Sequence, residues 1–245
     1  ILNTWDEAIT KQANLIALKE QRKRGLMQQL LTGAVRFPGF DGEWTNVNFG
    51  GLGQIFTGLS GKTAKDFGTG KPFVNYKNIF YNWSVEISQC ELVDVNSDEK
   101  QNRIKYGDIF FTTSSETANE IAMSSVLLED VDEVYLNSFC FGFRLYNFEQ
   151  LLPEYAVYYL RSQLFRRRVY PFAQGSTRFN LSKSSLLQQL TVILPPIAEQ
   201  QKIAQVLSLA DQEIDQLNKQ LEALKEQKRG LMQKLLTGQV RVNVA

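Results

Sequence analysis

Fourteen residues of this chain occur twice almost unchanged. Lys23-Arg24-Gly25-Leu26-Met27-Gln28-Gln29-Leu30-Leu31-Thr32-Gly33-Ala34-Val35-Arg36 returns as Lys228-Arg229-Gly230-Leu231-Met232-Gln233-Lys234-Leu235-Leu236-Thr237-Gly238-Gln239-Val240-Arg241, with 12 of the 14 positions identical. Upstream, Ala17-Leu18-Lys19-Glu20-Gln21 matches Ala223-Leu224-Lys225-Glu226-Gln227 at an offset one residue longer, so one copy carries a one-residue slip. Two copies do not make a solenoid, and the residues between them have a different character.

In the second copy, Ile214, Leu217, Leu221, Leu224, Lys228, Leu231 and Leu235 follow one another at alternating steps of three and four, a heptad seam with one polar interruption. This spacing predicts a long coiled-coil helix from about 196 to 237, roughly 60 Å at about 1.5 Å per residue. Pro196 suits the first turn of such a helix, and Gly238 suits its left-handed end. The first copy predicts a helix over about 4 to 32 with a less regular seam, Ile9, Ile16, Leu26 and Leu30, closed by Gly33. Between the copies, Asp108–Phe111, Ser138–Tyr146 and Leu190–Leu194 read as strands, and Pro153 to about Tyr170 reads as a helix. The expected class is α+β: residues 1–35 a helix, 36–195 a globular domain of mainly antiparallel strands, and 196–245 a second helix. Short connections favour an antiparallel pairing of the two helices, a globular head on a helical stalk.

Several function classes drop out. The chain has no histidine, which excludes Ser-His-Asp and Cys-His nucleophiles and His-ligated metals. Cys90 and Cys140 show neither metal spacing nor a disulfide framework, so a reducing cytoplasm is the default compartment. No run of 18 apolar residues exists, and the opening Ile1-Leu2-Asn3-Thr4-Trp5-Asp6 has no export pattern. The chain opens on Ile1 and its first methionine is Met27, which reads as a processed piece or a segment of a longer protein.

The net charge of +1 hides segregation. Residues 37–195 hold 14 basic and 17 acidic residues, yet from Tyr155 to Ala198 there are six bases (Arg161, Arg166, Arg167, Arg168, Arg178, Lys183) and no acid. Such a split suits either a basic face for phosphates or a solvated helix face. Gly58-Leu59-Ser60-Gly61-Lys62-Thr63 resembles a phosphate loop but has Phe56 where the pattern needs glycine. Asp94, Asp98, Glu99 and Lys100 loosely resemble metal-dependent nuclease carboxylates, within a run of turn formers. Leu194-Pro195-Pro196-Ile197 lacks the polar and aromatic neighbours of an amino-methyltransferase motif.

What remains is four polar segments at predicted strand ends. They contain Thr57, Ser60, Lys62 and Thr63; Lys77 and Asn78; Thr112, Thr113, Ser114 and Ser115; and Gln174, Ser176, Thr177, Arg178 and Asn180. Hydroxyls reach phosphate oxygens, Asn and Gln pair with adenine and Arg with guanine, although turns use the same residues. Arg178, Asn180, Lys62, Thr113 and Ser114 lead as DNA contacts.

These pieces together resemble a known family. The helix end Gly25–Gly33, the domain opening Arg36-Phe37-Pro38-Gly39-Phe40-Asp41-Gly42-Glu43-Trp44 and the domain close Leu194-Pro195-Pro196-Ile197-Ala198-Glu199-Gln200-Gln201-Lys202-Ile203-Ala204 look like the DNA-specificity subunit of type I restriction-modification enzymes. Gly107–Thr112 and Gln174–Ser182 resemble further recurrent segments of that family. The resemblance implies a non-catalytic subunit whose target-recognition domains each read one half of a split double-stranded DNA site, spaced by the helices. It also implies docking with modification subunits and, through them, the restriction subunit. S-adenosylmethionine, ATP and magnesium are then expected on those partners and no cofactor on this chain. One recognition domain is present, so the chain reads either as half of a two-domain subunit or as a half-length subunit forming a homodimer. A purely protein-binding helical scaffold is the alternative.

Overall fold

The structure is a computed structural model that describes residues 2–240; residues 241–245, with Arg241 of the second repeat copy, lie outside the described residues. The described residues up to Gln29, together with those from Gln205 onward, form one compact unit, and Leu30–Ala204 form the other.

The first unit is built from nearly all of helix α1, Leu2–Leu30, and most of the 40-residue helix Ile197–Leu236. In the latter, from Ile214 onward, the half-buried positions are Ile214, Leu217, Leu221, Leu224, Lys228, Leu231 and Leu235, and every residue between them is exposed. In α1 the buried or half-buried positions include Trp5, Ile9, Gln12, Ile16, Lys19, Lys23, Leu26 and Leu30, which also step by four and three. The first seam is therefore geometrically regular. Three of its positions are polar, which is why the apolar residues alone look irregular. Gln12 donates through Nε2 to the Leu217 carbonyl at 3.0 Å and to Gln220 Oε1 at 3.2 Å. Lys19 pairs with Glu213, Lys23 with Asp211 and Lys228 with Asp6. Partner numbers fall along one helix as they rise along the other, so the two run antiparallel.

The second unit is α+β. Its elements in order are β1 Thr45–Asn48, β2 Gly53–Thr57, β3 Phe67–Val74, α2 Tyr76–Tyr81, β4 Glu91–Val93, β5 Ile109–Thr112, β6 Ser114–Ser115, β7 Ser124–Val126, β8 Tyr135–Leu136 and β9 Cys140–Leu145. Then follow α3 Pro153–Tyr159, α4 Gln163–Val169, β10 Ala173–Gln174, β11 Phe179–Leu181, α5 Lys183–Gln189, β12 Thr191–Leu194 and the long helix α6, Ile197–Leu236. The helix expected from Pro153 to Tyr170 is two helices. Ser162 takes an extended conformation and its side chain accepts from Phe165 N–H, capping a new helix instead of continuing the old one.

The central sheet has order β2-β9-β5-β7, antiparallel throughout, and all of β5 is buried. Adjacent strand residues point to opposite faces, so this strand feeds two cores. Phe110 joins Val74, Ile79, Ile104 and Leu136 on one side. Phe111 meets Phe49, Phe141 and Phe165 on the other. Smaller sheets, β4-β3-β8 and β10-β11-β6, extend the unit, and β1 pairs antiparallel with β12 where the chain enters and leaves.

A buried polar latch ties those two crossings. Glu199 is 1% exposed and accepts a fork from Arg36 (2.9 and 2.7 Å) plus a bond from Trp44 Nε1 at 3.1 Å. Gln200 donates to the Gln150 and Pro195 carbonyls and accepts from Leu152 N–H. Gly33, at φ 72°, packs so closely on the Trp44 ring that a Cβ would sit 3.3 Å away. The terminal segments most distinctive in the sequence thus close the fold at its crossings.

Candidate nucleic-acid interface

An open cleft of about 910 Å³ lies in the second unit, with walls from α2, the β6 region and the β10–β11 turn. Asn75 caps α2 by accepting from Asn78 N–H, and the short helix presents Tyr76, Lys77, Phe80 and Tyr81 to the cleft. Tyr76 and Phe80 stack at 5.8 Å, and the Tyr76 hydroxyl donates to the Ser114 carbonyl at 3.0 Å. Burial pushes the Tyr76 phenol above its ordinary range, so it stays a neutral donor at neutral pH. The β6–β11 pairing sets Asn180 opposite Ser114, and Arg178 donates through one terminal nitrogen to Ser114 Oγ at 3.1 Å. Gly175, at φ 122°, makes the β10–β11 turn possible, because a Cβ there would lie 2.2 Å from the Arg178 carbonyl oxygen.

Phe139 stands at the rim, 67% exposed. Its backbone is fixed from two sides: Phe139 N–H donates to Asn137 Oδ1 at 2.7 Å, and Thr113 Oγ1 donates to the Phe139 carbonyl at 2.5 Å. Two carboxylates, Glu116 and Glu120, also line the cleft.

Three of the four polar segments therefore meet. Lys77, Ser114, Ser115, Thr177 and Arg178 line the cleft, with Thr113 behind its rim. Gln174, Ser176 and Asn180 are exposed on the same hairpin but outside the cleft wall. Asn78 and Thr112 are corrections: both are buried, at 1% and 0% exposed. Asn78 bonds to the Glu86 backbone and to Asn82, and Thr112 accepts from Met123 N–H, so neither side chain reaches a ligand.

The fourth segment lies outside the cleft wall. Thr57 and Ser60 are exposed, and their carbonyls accept from Asn102 and Gln101. Lys62 has a side chain only 7% exposed and pairs with Glu99 at 2.5 Å, while Thr63 caps a turn through Asp66. The Lys62 ammonium and then Gln101 hold the Glu99 carboxyl down at about 2. The phosphate-loop resemblance dissolves with this pair. Gly58 is required because a Cβ would fall 1.9 Å from the Asn137 carbonyl oxygen, a packing reason. Among the described residues no group of three or more His, Cys, Asp or Glu is arranged to hold a metal ion.

The basic run from Tyr155 onward is mostly structural as well. Arg161 donates to the Ser124, Phe80, Ile79 and Asn82 carbonyls, Arg166 to those of Ala122 and Asn119, and Arg168 to that of Thr191. Lys183 sits over the Phe141 ring at 5.1 Å. Of the six bases, Arg178 is the one in the cleft. Tyr81, Phe139 and Glu120 lie outside the four polar segments, and Glu116 lies within one without being among its expected contacts; the aromatic residues sit in apolar runs indistinguishable from core strands and helices. No helix among the described residues is long and apolar enough to cross a membrane.

The chain is similar to proteins of known kind. It is 29% identical over 191 residues to a putative type I restriction enzyme MjaX specificity subunit from Methanocaldococcus jannaschii, covering 76% of this chain and 43% of that protein. A 52-residue stretch is 42% identical to the MjaVIII specificity subunit of the same organism, 21% of this chain and 12% of that one. The chain thus spans less than half the length of these relatives. Its fold is similar to the S subunit of a type I restriction-modification system from M. genitalium, at TM-score 0.55, 17% identity, and coverage of 96% of this chain and 58% of that one. It is similar too to the HsdS subunit from Thermoanaerobacter tengcongensis, at TM-score 0.54, 17% identity, and coverage of 95% and 56%. A family profile described as the type I restriction modification DNA specificity domain matches residues 41–226, well over half of the sequence, and on that match the chain belongs to the type I restriction modification DNA specificity domain family.

Proposed function

We propose that this chain is a sequence-specific DNA-recognition subunit, or part of one, that contributes no catalysis of its own to a type I restriction-modification complex. The observation that carries this reading is the convergence of Lys77, Ser114, Ser115, Thr177 and Arg178, from segments far apart in sequence, around one open cleft in a member of this family. Cations and hydroxyls position a duplex through its phosphates, and the same groups read base edges. The cleft takes double-stranded DNA. The paired helices set the spacing between two half-sites and dock modification subunits, through which the restriction subunit joins. S-adenosylmethionine, ATP and magnesium belong to those partners. Residues 36–195 act as the recognition domain, residues 1–35 and 196–245 as spacer and docking helices, and two copies pair as a homodimer when no second recognition domain is supplied in the same chain.

Selection from a random duplex library by the purified chain, with and without its modification subunit, tests this. The expected result is an enriched short motif whose binding weakens steeply as salt rises. Absence of enrichment under both conditions would overturn it.

A further inference from the structure

We infer that the cleft reads a G·C base pair from the major groove, Arg178 taking the guanine edge and Glu120 the edge of the paired cytosine. The inference rests on the DNA-recognition reading above and adds the base pair and a residue, Glu120, that the basic and hydroxyl groups do not imply. Its starting point is that Glu116 and Glu120 share the cleft with Lys77 and Arg178. Carboxylates weaken a surface that only grips phosphates, because each repels the backbone it is meant to hold. Carboxylates suit base edges that offer amino hydrogens.

These opposite charges do not cancel one another. Among the described residues neither Lys77 nor Arg178 makes an ion pair, whereas Lys62, Lys71, Arg103 and Arg144 elsewhere in this unit all do. Both members of the proposed reader are nevertheless oriented. Glu120 accepts from Ser115 Oγ at 3.2 Å and Thr117 Oγ1 at 2.8 Å, both through Oε2, which leaves Oε1 for a ligand. Arg178 is tied to Ser114 Oγ through one terminal nitrogen, and Ser114 is itself held by the β6–β11 pairing and by the Tyr76 hydroxyl on its carbonyl. Among the described residues the remaining guanidinium donors have no hydrogen-bond partner.

An arginine that donates twice and a carboxylate that only accepts, lining one cleft, complement the edge of a G·C pair. Across the major groove a G·C pair offers two acceptors, guanine N7 and O6, and then one donor, cytosine N4. An A·T pair alternates acceptor, donor, acceptor, so an arginine that donates twice meets the adenine amino group with its second donor.

The test is parallel selection from a random duplex library by the wild-type chain, Arg178→Ala and Glu120→Gln, each with and without the modification subunit. The glutamine keeps an acceptor oxygen for Ser115 and Thr117. The wild-type motif should contain a G·C pair at which both variants lose preference by about fivefold or more, with the other positions retained. Replacing that guanine by 7-deazaguanine, which removes the N7 acceptor alone, should weaken wild-type binding by several-fold and leave Arg178→Ala indifferent. Lys77→Ala should weaken all sequences alike. A wild-type motif that both variants preserve in full, a relaxed position other than G·C, or indifference of the wild type to 7-deazaguanine overturns the assignment while DNA recognition stands. No motif from the wild type under either condition overturns both.

Discussion

Arg161 and Arg178 are the same residue type in the same basic run, and their surroundings give them opposite roles. Arg161 is largely buried, and burial followed by the nearby Arg166 pulls its guanidinium down to about 10. Its donors engage four backbone carbonyls at 2.6 to 3.0 Å, three at the C-terminal end of α2 and one at the start of β7. Arg161→Met should cost about 3 kcal/mol or more of folding stability in denaturant melts, because carbonyls stripped of water lose their donor. Arg161→Lys should rescue little, since one ammonium cannot span the same fork of acceptors. While Arg161→Met remains folded, the salt dependence of its DNA binding should equal that of the wild type, which a phosphate-contacting arginine would not allow. Nothing in the sequence separates these arginines, because the deciding quantity is which carbonyls lie within reach after folding. Lys62 teaches the same lesson beside a glycine pattern that invites a phosphate. Glu99 is held at about 2 against an ordinary 4.5, first by Lys62. A depressed carboxyl contributes stability that is complete above its unfolded value and disappears as pH falls through the folded one. The stability difference between wild type and Lys62→Met should therefore shrink as pH drops from about 4.5 to 2. Carboxyl-detected NMR should find Glu99 titrating near 2 in the wild type and closer to 4.5 in the variant; an unchanged Glu99 titration would remove Lys62 as the cause.

Among the elements, the long C-terminal helix is the most legible. Alternating steps of three and four from Ile214 to Leu235 mark the residues that the fold half-buries, because a heptad repeat keeps one stripe facing a partner along the whole helix. Its partner α1 is less legible, since Gln12, Lys19 and Lys23 hold seam positions and reach across with their polar ends. Long lysine stems cover apolar surface while the ammonium finds a carboxylate, a pattern that apolar counting misses. The short elements are less legible. Pro153–Tyr159 and Gln163–Val169 look like one helix until the Ser162 side chain captures Phe165 N–H, a choice decided by local hydrogen bonding. The seam leucines should matter more than the ion pairs beside them, which are partly exposed and screened. Leu221→Asp should cost about 2 kcal/mol and speed amide exchange along α1 and the distal part of α6. Protection of β5 and β9, in the other compact unit, should persist. Equal loss of protection in both units would show that they unfold as one body.

For the molecule as a whole, the repeat poses the question of why the same helix end is made twice. In the first copy, Leu30 and Leu31 are buried and lead through Gly33 to Arg36, which grips Glu199 at the closure of the second unit. In the second copy, Gly238 takes φ 73° against 72° for Gly33, so the two copies turn out of their helices in the same way. Near-identical helix ends facing opposite ways along an antiparallel pair are what a spacer between two recognition modules requires, whether the second module comes from a second copy or from the same chain. That reading makes helix length a ruler. One heptad inserted into both α1 and α6 keeps each seam in phase, with a residual twist of about 20°, and lengthens the pair by roughly 10 Å. At about 3.4 Å per base pair this is roughly three base pairs. Library selection by the lengthened chain with its modification subunit should return the same two half-motifs with the gap widened by that amount. An unchanged gap would deny the helices the spacer role. Loss of one half-motif with the other retained would instead mean that the insertion broke the assembly that brings two modules to one duplex, and light scattering on the same sample would show the dissociated species.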